Sequence, residues 1–177
     1  ANMSVEMGAK CGIMPADKKV LNWTKSHSKR KPRLVAPDKD AEYQDVIEYD
    51  VSELSPQVAK PHSVDNVSPI EEIKGIRIDQ GYIGTCTNGR VEDFVEAAKI
   101  LRKHRVKKGV KLIIAPASRA IFLEAMRLGL IEIFVKAGAS IVSPGCGPCV
   151  GTHEGIPANG ENVISSANRN FKGRMGN

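Results

Sequence analysis

The sequence predicts an α/β fold: a three-layer α/β/α domain with a mostly parallel sheet over residues 66–177, preceded over 1–65 by part of another α/β domain and an extended linker. Three observations point that way. Short strand-like runs at 80–85, 111–115 and 140–142 alternate with helix-like stretches, and such alternation favours parallel strands covered by helices. The helix-like stretches carry apolar residues at three- and four-residue intervals, while Gly or Pro ends the strand-like runs. Pro56, Pro61 and Pro69, in a stretch with no strong period, mark the division between the two parts.

Taken in order, residues 1–10 have helical composition but no capping lead-in, as in an element cut part-way. Asn2 and Glu6 stand four apart, so a helix would bring both side chains to one face. They read either as a solvated pair at a frayed end or as two walls of a polar pocket. Cys11, near the apolar Ile13 and Met14, reads as a buried structural thiol rather than a ligand. Leu21 and Trp23 can anchor a short helix ahead of the basic run Lys29-Arg30-Lys31. Residues 45–51, rich in β-branched and aromatic side chains, predict a strand. The proline-bearing stretch 56–69 reads as an extended crossing, and its His62 as polar surface more readily than a ligand.

From Ile76 onward the signals strengthen. Residues 80–85 predict a strand running into a turn at Cys86. Val91, Phe94, Val95, Ala98 and Leu101 then recur at helical spacing. Glu92 and Asp93 in the first turn, with Arg102, Lys103 and His104 in the last, complement the helix dipole. Residues 111–115 form an apolar strand closed by Pro116, and Ser118 can cap a helix that runs to Gly129. A shorter helix over 132–136 ends at Gly138, a strand over 140–142 leads directly to Gly145-Cys146, and 162–165 is a last strand. In parallel sheets ligands gather at the carboxyl ends of strands, so the turns bearing Cys86 and the Cys146/Cys149 pair can face one crevice.

Composition narrows the function. The 177 residues hold no apolar run long enough to span a bilayer and no signal-peptide zones, so a soluble, cytoplasmic chain without a membrane partner is expected. Four cysteines in such a chain favour metal or redox chemistry over disulfides. The net charge of +6 attracts acidic small molecules. Aromatic residues do not interleave with the basic ones, so no nucleic-acid stacking platform is expected.

Gly145-Cys146-Gly147-Pro148-Cys149 places two thiols on one turn, and Cys86 adds a third. Cys-Gly-Pro-Cys also suits a thioredoxin-like redox module, but such a motif belongs at a helix start with several strands still to follow. A zinc site, for example in a nucleic-acid module, wants a fourth ligand, for which His153 stands at a permitted spacing. Three thiolates alone leave an open metal position able to take a hydroxyl or carboxylate. Near the end, Asn168-Arg169-Asn170-Phe171-Lys172-Gly173-Arg174 sets two arginines just beyond a strand, where guanidinium forks can grip carboxylates.

Three stretches, Gly84-Thr85-Cys86-Thr87-Asn88-Gly89-Arg90, then 144–151 around the paired cysteines, then Asn168 to Gly176, together resemble the aconitase superfamily. The likeness is greatest to the large subunits of its 3-isopropylmalate dehydratase and homoaconitase branches, and it covers the whole chain. The resemblance implies a 4Fe-4S cluster held by Cys86, Cys146 and Cys149, with the fourth iron free for substrate. It implies a hydro-lyase that moves a hydroxyl between adjacent carbons of a hydroxy-di- or tricarboxylic acid, as in leucine biosynthesis. It also implies that Asn2 lines the cluster pocket, Glu6 hydrogen-bonds near the reacting hydroxyl, Asn168 lies close to the cluster, and Arg169 and Arg174 orient substrate carboxylates. Family large subunits are longer and work with a small subunit, so this chain is expected to be a C-terminal part, inactive alone, that lacks the upstream acid residues and the small subunit's base.

Overall fold

The structure, a computed structural model, describes residues 2–176 and divides the chain into compact units 1–54 and 55–177. Residues 55–65, grouped on sequence with the first part, fall in the second unit.

In the first unit, α1 (Lys18–His27) is capped by Asp17, whose side chain accepts from the Val20 N–H at 2.9 Å. The anchoring pair of the sequence is not a core, since α1 buries none of its residues and Trp23 instead stacks on His27 with ring centroids 4.1 Å apart. The helix expected over 1–10 is a series of turns across residues 2–8, while Ala1 lies outside the described residues. Met7 N–H donates to Ser4 O and Gly8 N–H to Val5 O, and Gly8 at φ +79° breaks the right-handed path. The strand expected over 45–51 does not form. A strand needs a neighbour for its backbone groups. Among the described residues nothing pairs with this one, and Val46, Ile47, Tyr49 and Val51 are exposed. Cys11 is likewise exposed, not buried, because Ile13 and Met14 beside it build no core.

The second unit begins with a hairpin where an extended crossing was expected. Strands β1 (Gln57–Ala59) and β2 (Val67–Pro69) pair antiparallel, with Val58 opposite Ser68. Proline does not prevent this, since Pro61 lies in the loop and Pro69 ends a two-stranded edge. The main sheet is β3 (Gln80–Gly84), β4 (Lys111–Ala115), β5 (Ser140–Ile141) and β6 (Val163–Ser165), all parallel in the order β5-β4-β3-β6. Between them run a one-turn helix α2 (Thr85–Asn88), α3 (Val91–Leu101), α4 (Arg119–Arg127) and α5 (Leu130–Ala137). Ser118 caps α4 as expected, accepting from the Ile121 N–H. The α/β architecture and parallel sheet therefore agree with the sequence.

Side-chain alternation along the strands separates two surfaces. Ile83, Ile114 and Ile141 pack with Phe94, Ala98, Ala125, Leu130 and Phe134 from α3, α4 and α5, and Phe94 meets Phe134 edge-on at 5.6 Å. Tyr82, Ile113 and Ala115 form a second cluster, which Val142, Cys149 and Met175 cover. The start of β6 is clasped to β3: Asp79 N–H donates to Asn162 O at 2.9 Å, and Asn162 N–H returns a bond to the Asp79 carboxylate at 3.0 Å. That returned bond is the main reason the Asp79 carboxyl lies below its ordinary range. No helix among the described residues is long and apolar enough to cross a membrane.

Candidate metal centre

The Cys86 turn starts where β3 ends. Thr85 sits at φ +82°, a costly conformation for a β-branched residue. Its Oγ1 accepts from the N–H groups of Thr87 at 3.3 Å and Asn88 at 3.2 Å, which offsets part of that cost and closes α2 with Cys86 exposed. Gly89 ends the turn against the tip of β4. A Cβ there would stand 2.6 Å from Ala115 O and 2.7 Å from Thr85 O, so the close approach excludes any side chain.

The second thiol pair follows β5. Gly147–Val150 forms a single 3-10 turn in which Cys149 N–H donates to Cys146 O at 2.9 Å, while Gly147 and Pro148 are buried. This is not the long helix a thioredoxin-like dithiol would open. Cys146 is exposed and Cys149 half-buried. The His153 ring lies over this loop, 3.5 Å from where a Cβ on Gly147 would stand.

The tail is drawn onto the loop by a backbone contact. Gly151, at φ +65°, leaves no room for a Cβ, which would fall 2.3 Å from Gly176 Cα. Arg174 then donates from Nη2 to Cys149 Sγ at 3.6 Å, and its guanidinium lies 5.4 Å from the Phe171 ring centre. Its Nε is buried without a partner among the described residues.

One buried group senses all three thiols. Burial, first, pushes the Tyr82 phenol up to about 12, and the charges of Cys149, Cys146 and Cys86 push in the same direction. Of the two turns, the later one packs on this tyrosine through Cys149, while the Cys86 turn continues the strand that carries it. No three His, Cys, Asp or Glu side chains among the described residues converge tightly enough to hold a single metal ion.

The segment after β6 lines the Cys86 turn. Ser166 Oγ accepts from the Gly84 N–H at 3.0 Å, Asn88 Nδ2 donates to Ser166 O, and Thr87 Oγ1 donates to Asn168 Oδ1. Arg169 is half-buried on the same segment. Asn170 Nδ2 reaches the carbonyls of Ala59 at 3.1 Å, Lys60 at 2.8 Å and Ser63 at 3.1 Å, and so latches the β1–β2 hairpin to the tail. The exposed His62 lies in the loop of that hairpin. Asn2 and Glu6 belong to the other unit, both exposed on its turns.

Sequence reasoning passed over Thr87, Asn88, Ser166 and Asn170 as site-forming residues. For Thr87 and Asn88 the signal was present, because each adjoins Cys86 in a polar turn. Ser166 and Asn170 act through backbone groups far along the chain, which no local pattern marks.

Compared with known proteins, the chain matches the aconitase family (aconitate hydratase) over residues 1–75 and 68–177. It is 53% identical, over its whole length, to the 3-isopropylmalate dehydratase large subunit 2 of Archaeoglobus fulgidus, of which it covers 43%. It is 49% identical to the 3-isopropylmalate dehydratase large subunit 1 of Thermotoga maritima, over all of this chain and 43% of that one. To the probable methanogen homoaconitase large subunit of Methanothermobacter thermautotrophicus it is 47% identical over 99% of this chain and 41% of that one. The chain thus spans less than half the length of these relatives. Because the matched segments together run from its first residue to its last, the chain belongs to the aconitase family.

Proposed function

We propose that this chain forms part of the large subunit of a hydro-lyase that isomerises a hydroxy-di- or tricarboxylic acid by dehydration and rehydration, with 3-isopropylmalate as the leading substrate. The observation that carries this reading is that Cys86 follows β3 while Cys146 and Cys149 follow β5, so all three thiols stand beyond the carboxyl ends of parallel strands of one sheet, in a chain of the aconitase family. The 47% identity to a probable homoaconitase large subunit favours homoaconitate as the second reading.

The donor set fits a 4Fe-4S cluster. Three soft thiols suit iron and sulfide, and each thiolate binds a different iron, so the sulfurs need not converge on one point. Arg174, already donating to Cys149 Sγ, offsets negative charge at that corner. When bound, a cluster with one iron lacking a protein ligand supplies a Lewis acid that eases hydroxyl loss.

The chain's own residues then have separable roles in the proposal. Arg169 and Arg174 fix substrate carboxylates, and the guanidinium fork sets which carbon faces the base. Asn168, held by Thr87, sets the wall beside the Cys86 turn. For Asn2 and Glu6, which belong to the other unit, the family resemblance alone supports the proposed roles of lining the cluster pocket and hydrogen-bonding near the reacting hydroxyl. The cluster-bearing part we propose lies within 66–177, in the unit that also holds the β1–β2 hairpin, with 1–54 as part of another domain. A small subunit supplies the base and much of the substrate selection. Four free thiols suit a reducing, cytoplasmic setting.

Anaerobic reconstitution with ferrous iron and sulfide tests the reading. The expected product is a brown, oxygen-sensitive protein holding iron and sulfide in equal amounts. A colourless protein retaining one zinc, or a reversible Cys146–Cys149 disulfide with reductase activity, would overturn it.

A further inference from the structure

Tyr82 presents an anomaly that the proposed function leaves unused. Its side chain is 1% exposed, in the middle of β3, and its hydroxyl has no hydrogen-bond partner among the described residues. A buried hydroxyl without a partner is costly, and native folds rarely keep one without a reason. The nearest backbone donor, the Thr85 N–H, falls short of hydrogen-bonding geometry. Even a shorter approach would occupy an oxygen lone pair and leave the phenol's own proton without an acceptor. The apolar and sulfur-bearing side chains packed on Tyr82 are Val142, Cys149 and Met175, with Ile113 and Ala115 on the adjacent strand. Of these side chains, only the two sulfur-bearing ones offer any acceptor, and a thiolate accepts far better than a thioether.

We infer that the Tyr82 hydroxyl donates a hydrogen bond to sulfur at the Cys149 corner of the cluster, completing the buried phenol's bonding only when the metal centre is in place. This rests on the proposed function, since it needs the cluster. Tyr82 is a positioning residue acting through the cluster and touches no substrate. A donor aimed at sulfur stabilises the more negative, reduced cluster, so the phenol raises its reduction potential. The same bond helps to hold the Cys149 turn against the sheet, because Tyr82 belongs to the cluster of side chains on which Cys149 packs.

The test compares the full chain with Tyr82→Phe, which keeps the ring and removes only the hydroxyl. Both are reconstituted anaerobically with ferrous iron and sulfide, then titrated with dithionite and followed by electron paramagnetic resonance. The expected result is equal iron content, with the reduction equilibrium of Tyr82→Phe moved about tenfold against the reduced state, which is 59 mV for a one-electron couple. After exchange into heavy water, a deuteron coupled to the reduced cluster is expected in the wild type and missing in Tyr82→Phe. In the metal-free chain, Tyr82→Phe is expected to melt no lower than wild type, since it removes an unpaired buried hydroxyl.

The outcomes separate the two readings. If the wild type takes up no iron, the proposed function falls and this inference with it. If both proteins load and share one potential and one deuteron signal, only the role of Tyr82 is overturned. A metal-free Tyr82→Phe that melts well below wild type would show a protein partner for the hydroxyl and would equally overturn it.

Discussion

Gly151→Ala is the most direct probe of how the tail reaches the paired cysteines. The added Cβ would stand 2.3 Å from Gly176 Cα and N and 2.7 Å from Met175 C, all backbone atoms that cannot rotate away. Two costs follow. Placing a side chain at φ +65° costs on the order of 1–2 kcal/mol. Displacing residues 175–176 strips Met175 from its packing on Tyr82, Ile113 and Ala115, a half-buried side chain worth about 1–2 kcal/mol. Gly129→Ala is the matched control, because Gly129 has φ +71° and nothing within 4 Å of its built Cβ, so it carries only the first cost. Urea unfolding of the metal-free chain should therefore show Gly151→Ala less stable than Gly129→Ala by about 1–2 kcal/mol. Arg174 and Met175 should also leave the loop and expose the half-buried Cys149, so alkylation of that thiol should speed up in Gly151→Ala alone. Equal unfolding midpoints for the two variants would refute the argument that the Gly151–Gly176 contact holds the tail.

Three further outcomes are expected. Cys86→Ser and Cys146→Ser should lower the iron retained after reconstitution by similar amounts, whereas exposed Cys11→Ser should retain the wild-type amount, and an equal loss at Cys11 would contradict the ligand set. In the metal-free chain, absorbance titration should find one of the three tyrosines ionising only near pH 12. Because the folded value lies above the ordinary 10, Tyr82 contributes full stability below about pH 10 and loses it as pH rises through about 12. Tyr82→Phe should lack that part of the decline. Asn170→Ala removes the donor shared by Ala59, Lys60 and Ser63, at a cost of about 1–2 kcal/mol. Amide exchange should accelerate in the β1–β2 hairpin and leave β3 and β4 unchanged, and uniform acceleration would count against a local latch.

Local chemistry carried much of this protein. The runs at 80–84 and 111–115 carry Tyr82, Ile83, Leu112, Ile113 and Ile114, stop at Gly or Pro, and pair as parallel strands. Val91, Phe94, Ala98 and Leu101 share one stripe and make α3 amphipathic. Cysteine, glycine and proline at fixed spacings marked both thiol turns, because short-range sterics dictate where a chain can reverse and expose a sulfur. The same reasoning misjudged residues 45–51, whose β-branched composition is a strand only when another strand lies beside it. It also misjudged Cys11, whose apolar neighbours are a core only when something packs over them. The prolines of 56–69 hid a hairpin because they occupy its loop and its end.

What local chemistry could not reach was every relation between distant backbones. The order β5-β4-β3-β6 brings the last strand beside β3, and this alone sets Asn168 on Thr87 and Ser166 on Gly84. The contact of Gly151 with Gly176 lays Arg174 on Cys149, and β3 aims Tyr82 at the side of the sheet where Cys149 packs. Such contacts depend on how strands are ordered and how closely two backbones approach, and those follow from burial summed over the whole sheet. Residue spacing marked the three cysteines, while packing chose what surrounds them.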